Sequence, residues 1–185
     1  GVGPHDVALA LVGATYANGY VKNKVMEFVG PGVASLSADC RNGIDCMTTE
    51  TTCWSSIWQT DGVTEEYLAG HGRADAYKEL KPADVAYYDG CIELDLSKIE
   101  CMIALPMHPS YAYPIRELKA NAKDLLHEIE TRANEQLSGK VKMDLVSKVR
   151  ADGSIYVDQG IVAGCSGGTY ENLCAVADIL RGKSC

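Results

Sequence analysis

No two cysteines are spaced C-x-x-C in this chain, although it holds eight of them, at positions 40, 46, 53, 91, 101, 165, 174 and 185. A metal cluster needs several thiolates, so no self-contained cluster loop is present. Clusters of Lys and Arg are also missing, and the formal net charge is -8. Nucleic acid and anionic membrane surfaces rely on concentrated positive charge, so neither is an expected partner. No apolar run approaches the ~20 residues of a membrane helix, and the opening G-V-G-P-H-D lacks the basic and apolar regions of a signal peptide. The expected location is the cytoplasm. There is no phosphate loop, no G-x-S-x-G elbow, no H-E-x-x-H zinc helix, no internal repeat and no low-complexity segment, which removes the enzyme classes built on those spacings.

What is present describes an ordinary globular protein: 185 residues, 46% hydrophobic and 23% charged, enough to bury a core in one or two units. Eight cysteines fall short of the ~8–10% of a small disulfide scaffold, so reduced thiols are expected. Pro4 and Asp6 suit a helix start, and Val7 to Tyr16 are nearly all apolar before Asn18-Gly19 stops the run. V-M-E-F-V at 25–29 reads as a strand halted by Gly30-Pro31-Gly32. A helical region follows, with Leu36, Ile44 and Met47 as core positions and Asp39 or Asn42 as a cap. Val63 to Ala69 is helix-like and closes at Gly70-His71-Gly72. Ile92, Leu94 and Leu96 alternate with acidic residues as a half-buried strand would.

Ile99 to Leu105 is apolar, and Pro106, Pro109 and Pro114 make the next stretch read as a linker. Leu118, Ala122, Leu125, Leu126, Ile129, Ala133 and Leu137 then follow helical spacing up to Ser138-Gly139. Val141, Met143 and Leu145, then 155–157 and 161–163, are strand candidates, and Tyr170 to Leu180 reads as a helix. The fold class is α/β, divided into a domain over 1–105, a linker over 106–115 and the start of a second domain over 116–185. The chain begins without methionine and runs directly into a helix, so it is expected to be an internal piece of a longer protein.

Two tracts carry candidate chemistry. In D-C-R-N-G-I-D-C-M-T-T-E-T-T (39–52), Glu50 is placed for contact with a substrate hydroxyl or for acid-base work, although an exposed glutamate at a helix end is the plainer reading. In G-C-S-G-G-T-Y (164–170), glycines let backbone amides approach a ligand, and amides at a helix start favour thiolate at Cys165; a buried structural cysteine is the alternative.

Six tracts in order, P-H-D-V, F-V-G-P-G-V-A-S-L-S, M-T-T-E, I-E-L-D-L-S, L-P-M-H-P-S-Y-A-Y-P and G-C-S-G-G-T-Y-E-N, resemble the aconitase superfamily of iron-sulfur hydro-lyases. P-H-D-V and F-V-G-P-G-V-A-S-L-S are similar to the family's first helix and its strand-turn, and M-T-T-E occupies the place of N-M-G-A-E. I-E-L-D-L-S, then L-P-M-H-P-S-Y-A-Y-P, then G-C-S-G-G-T-Y-E-N match later tracts, the last corresponding to S-C-T-N-S-S-Y-E-D. The resemblance implies a three-layer α/β/α domain followed by the opening of the next. It makes Cys165 the first of three thiolate ligands to a [4Fe-4S] cluster and Glu50 the carboxylate near the substrate hydroxyl or iron-bound water. A cluster with three protein thiolates keeps one iron open as a Lewis acid, while a separate base removes a proton. The implied substrate is a small hydroxylated di- or tricarboxylic acid, and the implied partners are the remaining domains of the parent chain.

The chain also departs from the family. Family asparagines fall at Cys46 and Gly167, which fits a divergent hydratase-like branch. The paired C-G-P-C ligands, the catalytic serine and the substrate-binding arginines have no counterpart here, so the isolated chain is expected to lack both cluster and activity. The alternative is a non-catalytic binding or regulatory module. A small redox protein using Cys165 is disfavoured because no resolving cysteine stands near it in sequence. His5, His71, His108 and His127 lack ligand spacing and read as structural or solvated. Cys40, Cys46, Cys53 and Cys174 read as core, and Trp54 and Trp58 as packing anchors. Arg41 has the chemistry to meet a substrate carboxylate, without a matching family role.

Overall fold

The computed structural model describes residues 1–184. Helix α1 (Pro4–Thr15) starts as its sequence requires: Pro4 occupies the first turn, and the Gly3 N–H donates to Asp6 Oδ2 at 2.7 Å. Asp6 also accepts from the Met102 N–H at 2.5 Å, which ties the helix start to a strand ninety-six residues away. The helix buries Val7, Ala8, Leu9, Leu11 and Val12. The run stops at Gly19, whose φ of 64° is the left-handed conformation that a glycine adopts without strain.

Strand β1 (Val25–Phe28), helix α2 (Ala38–Met47) and strand β2 (Ser55–Trp58) form a βαβ unit, with β1 and β2 parallel and Phe28 opposite Trp58. Those two rings stack with centroids 4.2 Å apart. The cap of α2 is Ser37, which accepts the Cys40 N–H, so neither Asp39 nor Asn42 is needed there. Ile44 is fully buried. Helix α3 (Gly62–Gly70) follows, capped by Asp61.

Helices α1 and α2 meet at Gly43, where an added Cβ would stand 2.7 Å from Pro4 Cβ and 2.9 Å from Pro4 Cγ. Alanine improves helix propensity by up to about 1 kcal/mol, but overpacking against a rigid ring costs about 1–3 kcal/mol. Gly43→Ala is therefore expected to destabilise the chain by about 1–2 kcal/mol, read as a lower urea midpoint with unchanged slope. An unchanged or raised midpoint would contradict this contact.

The proline-rich stretch expected as a linker has local structure of its own. β3 (Met102–Ala104) pairs antiparallel with β4 (Ala112–Pro114), so residues 106–111 are the turn of a hairpin packed on α1, with Ala112 Cβ 3.5 Å from a Cβ built at Gly13. The long helix is broken at Asn121 into α4 (Ile115–Ala120) and α5 (Ala122–Gln136). Leu118, Ala122, Leu126, Ile129 and Ala133 are nevertheless all buried, as their spacing requires. Leu105, Leu118, Leu126 and Ile129 form one core cluster, while Leu11, Val21 and Met26 form another with Phe28 and Cys53 against it.

Four expected strands, at 92–96, 141–145, 155–157 and 161–163, are absent among the described residues. At 92–96 no strand lies alongside, and Asp95 accepts the Ser97 N–H at 3.0 Å, drawing the chain into a short turn at Leu96–Lys98. At 141–145 side chains of α5 take the backbone groups instead: Asn134 Oδ1 accepts from Met143 N–H, and Glu130 Oε2 from the N–H groups of Leu145 and Val146. Ile155 makes only an isolated bridge to Val149, and Ile161 is 75% exposed in unpaired chain. The chain ends in a one-turn helix α6 (Gly164–Gly167) and helix α7 (Tyr170–Leu180). Helices combined with small parallel and antiparallel sheets give the α/β character expected from the sequence. Among the described residues no helix is long and apolar enough to cross a membrane.

Candidate functional site

Cys165 lies in α6, exposed to solvent. Its helix is a single turn, and the eleven-residue α7 begins five positions later, so the thiol does not sit on the first amides of a long helix. The tract is positioned by its neighbours. Buried Ser166 donates through Oγ to the Gly43 carbonyl at 2.7 Å, and Asn172 Nδ2 donates to the Ser166 carbonyl at 3.0 Å. From the next turn, Ser37 Oγ donates to Glu171 Oε2 at 2.6 Å, and the Glu171 N–H donates to Asp39 Oδ2 at 3.1 Å. These bonds seat α6 and the start of α7 on helix α2.

Docking brings Cys46, near the end of α2, against Cys165. Cys46 Sγ donates to the Cys165 carbonyl at 3.7 Å. Partial burial pushes the Cys46 thiol above its ordinary pKa, and the Cys165 thiol and Asp45 carboxylate beside it push the same way. Cys46 is thus not a core cysteine, and sequence spacing alone had no means of pairing residues 119 positions apart. The available signal was its place at a family asparagine.

Glu50 stands one turn beyond Cys46, exposed, in the 3-10 turn Thr48–Thr51. That turn is stiff. Thr51 Oγ1 donates to the Thr48 carbonyl at 2.6 Å, Thr48 Oγ1 to the Asp45 carbonyl at 2.8 Å, and Cys53 Sγ to the Thr48 carbonyl at 3.3 Å. Asp45 accepts from Ser56 Oγ at 2.5 Å and Trp58 Nε1 at 3.0 Å, fastening the end of α2 to β2. Glu50 makes no hydrogen bond to Cys165; the two share one end of α2 rather than a common contact.

Other expectations resolve individually. Arg41 is 5% exposed and is no free substrate ligand: its guanidinium makes a two-pronged pair with Asp61 at 2.9 and 2.8 Å and also donates to Thr64 Oγ1 and to the carbonyls of Val33 and Leu36. Trp58 is a packing anchor, but Trp54 is 75% exposed. Cys53 packs against a core cluster and Cys40 is half-buried, whereas Cys174 is exposed. His5 lies against Gly167, where an added Cβ would be 3.0 Å from His5 Cε1, and the His108 ring packs tilted against Tyr16 with centroids 4.0 Å apart. Among the described residues no group of three or more His, Cys, Asp or Glu side chains is placed to hold a metal ion.

The profile of the Aconitase family (aconitate hydratase) matches residues 1–185, the whole chain. The chain belongs to the aconitase family. This aconitase-family chain is similar to the 2,3-dimethylmalate dehydratase large subunit of Eubacterium barkeri, at 29% identity over 96% of the chain and 34% of that protein. It is also similar to 3-isopropylmalate dehydratase large subunits of Caldicellulosiruptor bescii (28%, 96% of the chain, 33% of the relative) and Pyrococcus furiosus (29%, 96% and 34%). The chain therefore spans about a third of the length of these relatives.

Proposed function

We propose that this aconitase-family chain is the segment of a longer cytoplasmic hydro-lyase that supplies the first cluster thiolate, Cys165, and the carboxylate Glu50. The enzyme dehydrates and rehydrates a small hydroxy di- or tricarboxylic acid. In it, residues 1–105 belong to one domain and 116–185 open the next. The observation carrying this reading is the docking of the exposed Cys165 turn onto the end of α2 that bears Glu50.

The donor chemistry fits an iron-sulfur site in part. An accessible thiol on a fixed turn suits iron, and the remaining thiolates would come from outside the described residues, among which no group of three or more such donors forms. When bound, a [4Fe-4S] cluster with an open iron supplies Lewis-acid activation of the hydroxyl. Cys165 would supply one thiolate to it. Glu50, exposed on a stiff turn, would hydrogen-bond the substrate hydroxyl and, as the carboxylic acid, would give that oxygen a proton so that it leaves as water. Substrate carboxylates need cationic partners from other domains, because the buried Arg41 is committed to Asp61 and the chain is acidic. For that reason the chain alone is expected to be inactive. The free thiols suit a reducing compartment.

A second reading, a non-catalytic aconitase-like module, is favoured by Cys46 and Gly167 standing at family asparagine positions. Turnover separates the two. In the protein of full relative length, Glu50→Gln is expected to lower kcat about a hundredfold with iron content unchanged. A full-length protein that loads iron yet turns over no hydroxy acid would favour the module.

A further inference from the structure

Cys165 lacks a nearby partner in sequence, but folding supplies one: Cys46 Sγ donates to the Cys165 carbonyl oxygen at 3.7 Å, which sets the two cysteines side by side. The backbone around both is anchored, by Ser166 on Gly43 and by the close approach of Pro4 to the same glycine, so the two cysteines are held together rather than meeting by chance. Cys165 is exposed and Cys46 half-buried, the arrangement of an accessible thiol with a resolving thiol behind it.

We propose that Cys46 and Cys165 are an oxidative modification site, a dithiol that closes to a disulfide by exchange with a small-molecule disulfide such as glutathione disulfide. Cys165 thiolate attacks one sulfur of glutathione disulfide, releasing one glutathione thiolate and leaving Cys165 as a mixed disulfide. Cys46, having lost its proton to solvent, then attacks the Cys165 sulfur. The second glutathione leaves as thiolate, and the S–S bond closes at about 2.0 Å. Two protein thiols are oxidised by two electrons and one glutathione disulfide is reduced to two glutathiones. Resting on the reading of Cys165 as a cluster ligand, the closed form withholds that ligand; the bond itself requires no cluster.

The test uses the present chain in a glutathione redox buffer, quenched with acid and mapped without reduction. Cys46 shares its tryptic peptide with Cys53, and Cys165 with Cys174, so fragmentation must assign the sulfurs. The Cys46–Cys165 linkage is expected to exceed any other pairing by about tenfold in the folded chain. That preference should vanish in denaturant. In Cys46→Ser, glutathione should remain on Cys165. Persistent glutathione on Cys165 in the unsubstituted folded chain, or pairings distributed as in denaturant, would overturn the proposal. Either outcome leaves the cluster reading untouched, because that reading is tested by iron content in the longer protein.

Discussion

Arg41→Met is expected to lower the unfolding free energy by about 3 kcal/mol, roughly a 150-fold change in the folding equilibrium. The substitution keeps most of the side-chain volume but removes the charge paired with Asp61 at 2.8 Å. It also strips donors from the carbonyls of Val33 and Leu36, and an unsatisfied buried acceptor costs about 1–3 kcal/mol. Asp61 is partly exposed and keeps the N–H groups of Val63 and Thr64, which holds the total to the lower end of the range for broken buried pairs. Arg41→Lys retains charge without the two-pronged geometry and should recover less than half of the loss.

The same pair sets a pH dependence. Hydrogen bonds from Arg41 are the main reason the Asp61 carboxyl is held below its ordinary value, with Thr64 and Val63 backbone N–H groups adding to it and burial opposing. A depressed carboxylate stabilises the fold above its unfolded pKa, and that contribution is lost as pH falls through the folded value. Stability should therefore decline from about pH 4 downward, and the decline should be shallower in Arg41→Met. Unfolding midpoints measured at pH 6 and pH 3 in both proteins check this; parallel declines would show that the pair does not titrate as described.

Cys165→Ser carries the largest expected effect on function. In the protein of full relative length, turnover should fall to background, because a serine hydroxyl is a poor substitute for thiolate on iron. The fold should survive the change, since α6 is held by Ser166, Gly43 and Asn172 and the Cys165 side chain is exposed. An unfolding free energy within about 0.5 kcal/mol of the parent, alongside lost activity, distinguishes a ligand from a structural cysteine. Equal losses of midpoint and activity would point to structure instead.

Elements with local start and stop signals were legible in the sequence: α1 between Pro4 and Gly19, β1 before Gly30, and α7 over 170–180. Apolar alternation was not enough. At 141–145 the backbone donors go to Asn134 and Glu130 on α5, and at 92–96 Asp95 makes a turn, both decided by groups that a period-two pattern does not contain. The hairpin at 102–114 was hidden by its prolines, although both strands of a two-stranded sheet are edges, where proline is tolerated. Glu50 and Cys165 were legible as candidates, through resemblance more than spacing. The contact between Cys46 and Cys165 was not, because it arises only when α6 docks on α2.

The most direct test is the iron and acid-labile sulfide content of the full-length protein, purified without oxygen, with Cys165 intact and with Cys165→Ser. The expected result is about four iron and four sulfide per intact chain and a near-complete loss in the variant. Equal cluster content in the two proteins would contradict the assignment of Cys165 as a ligand.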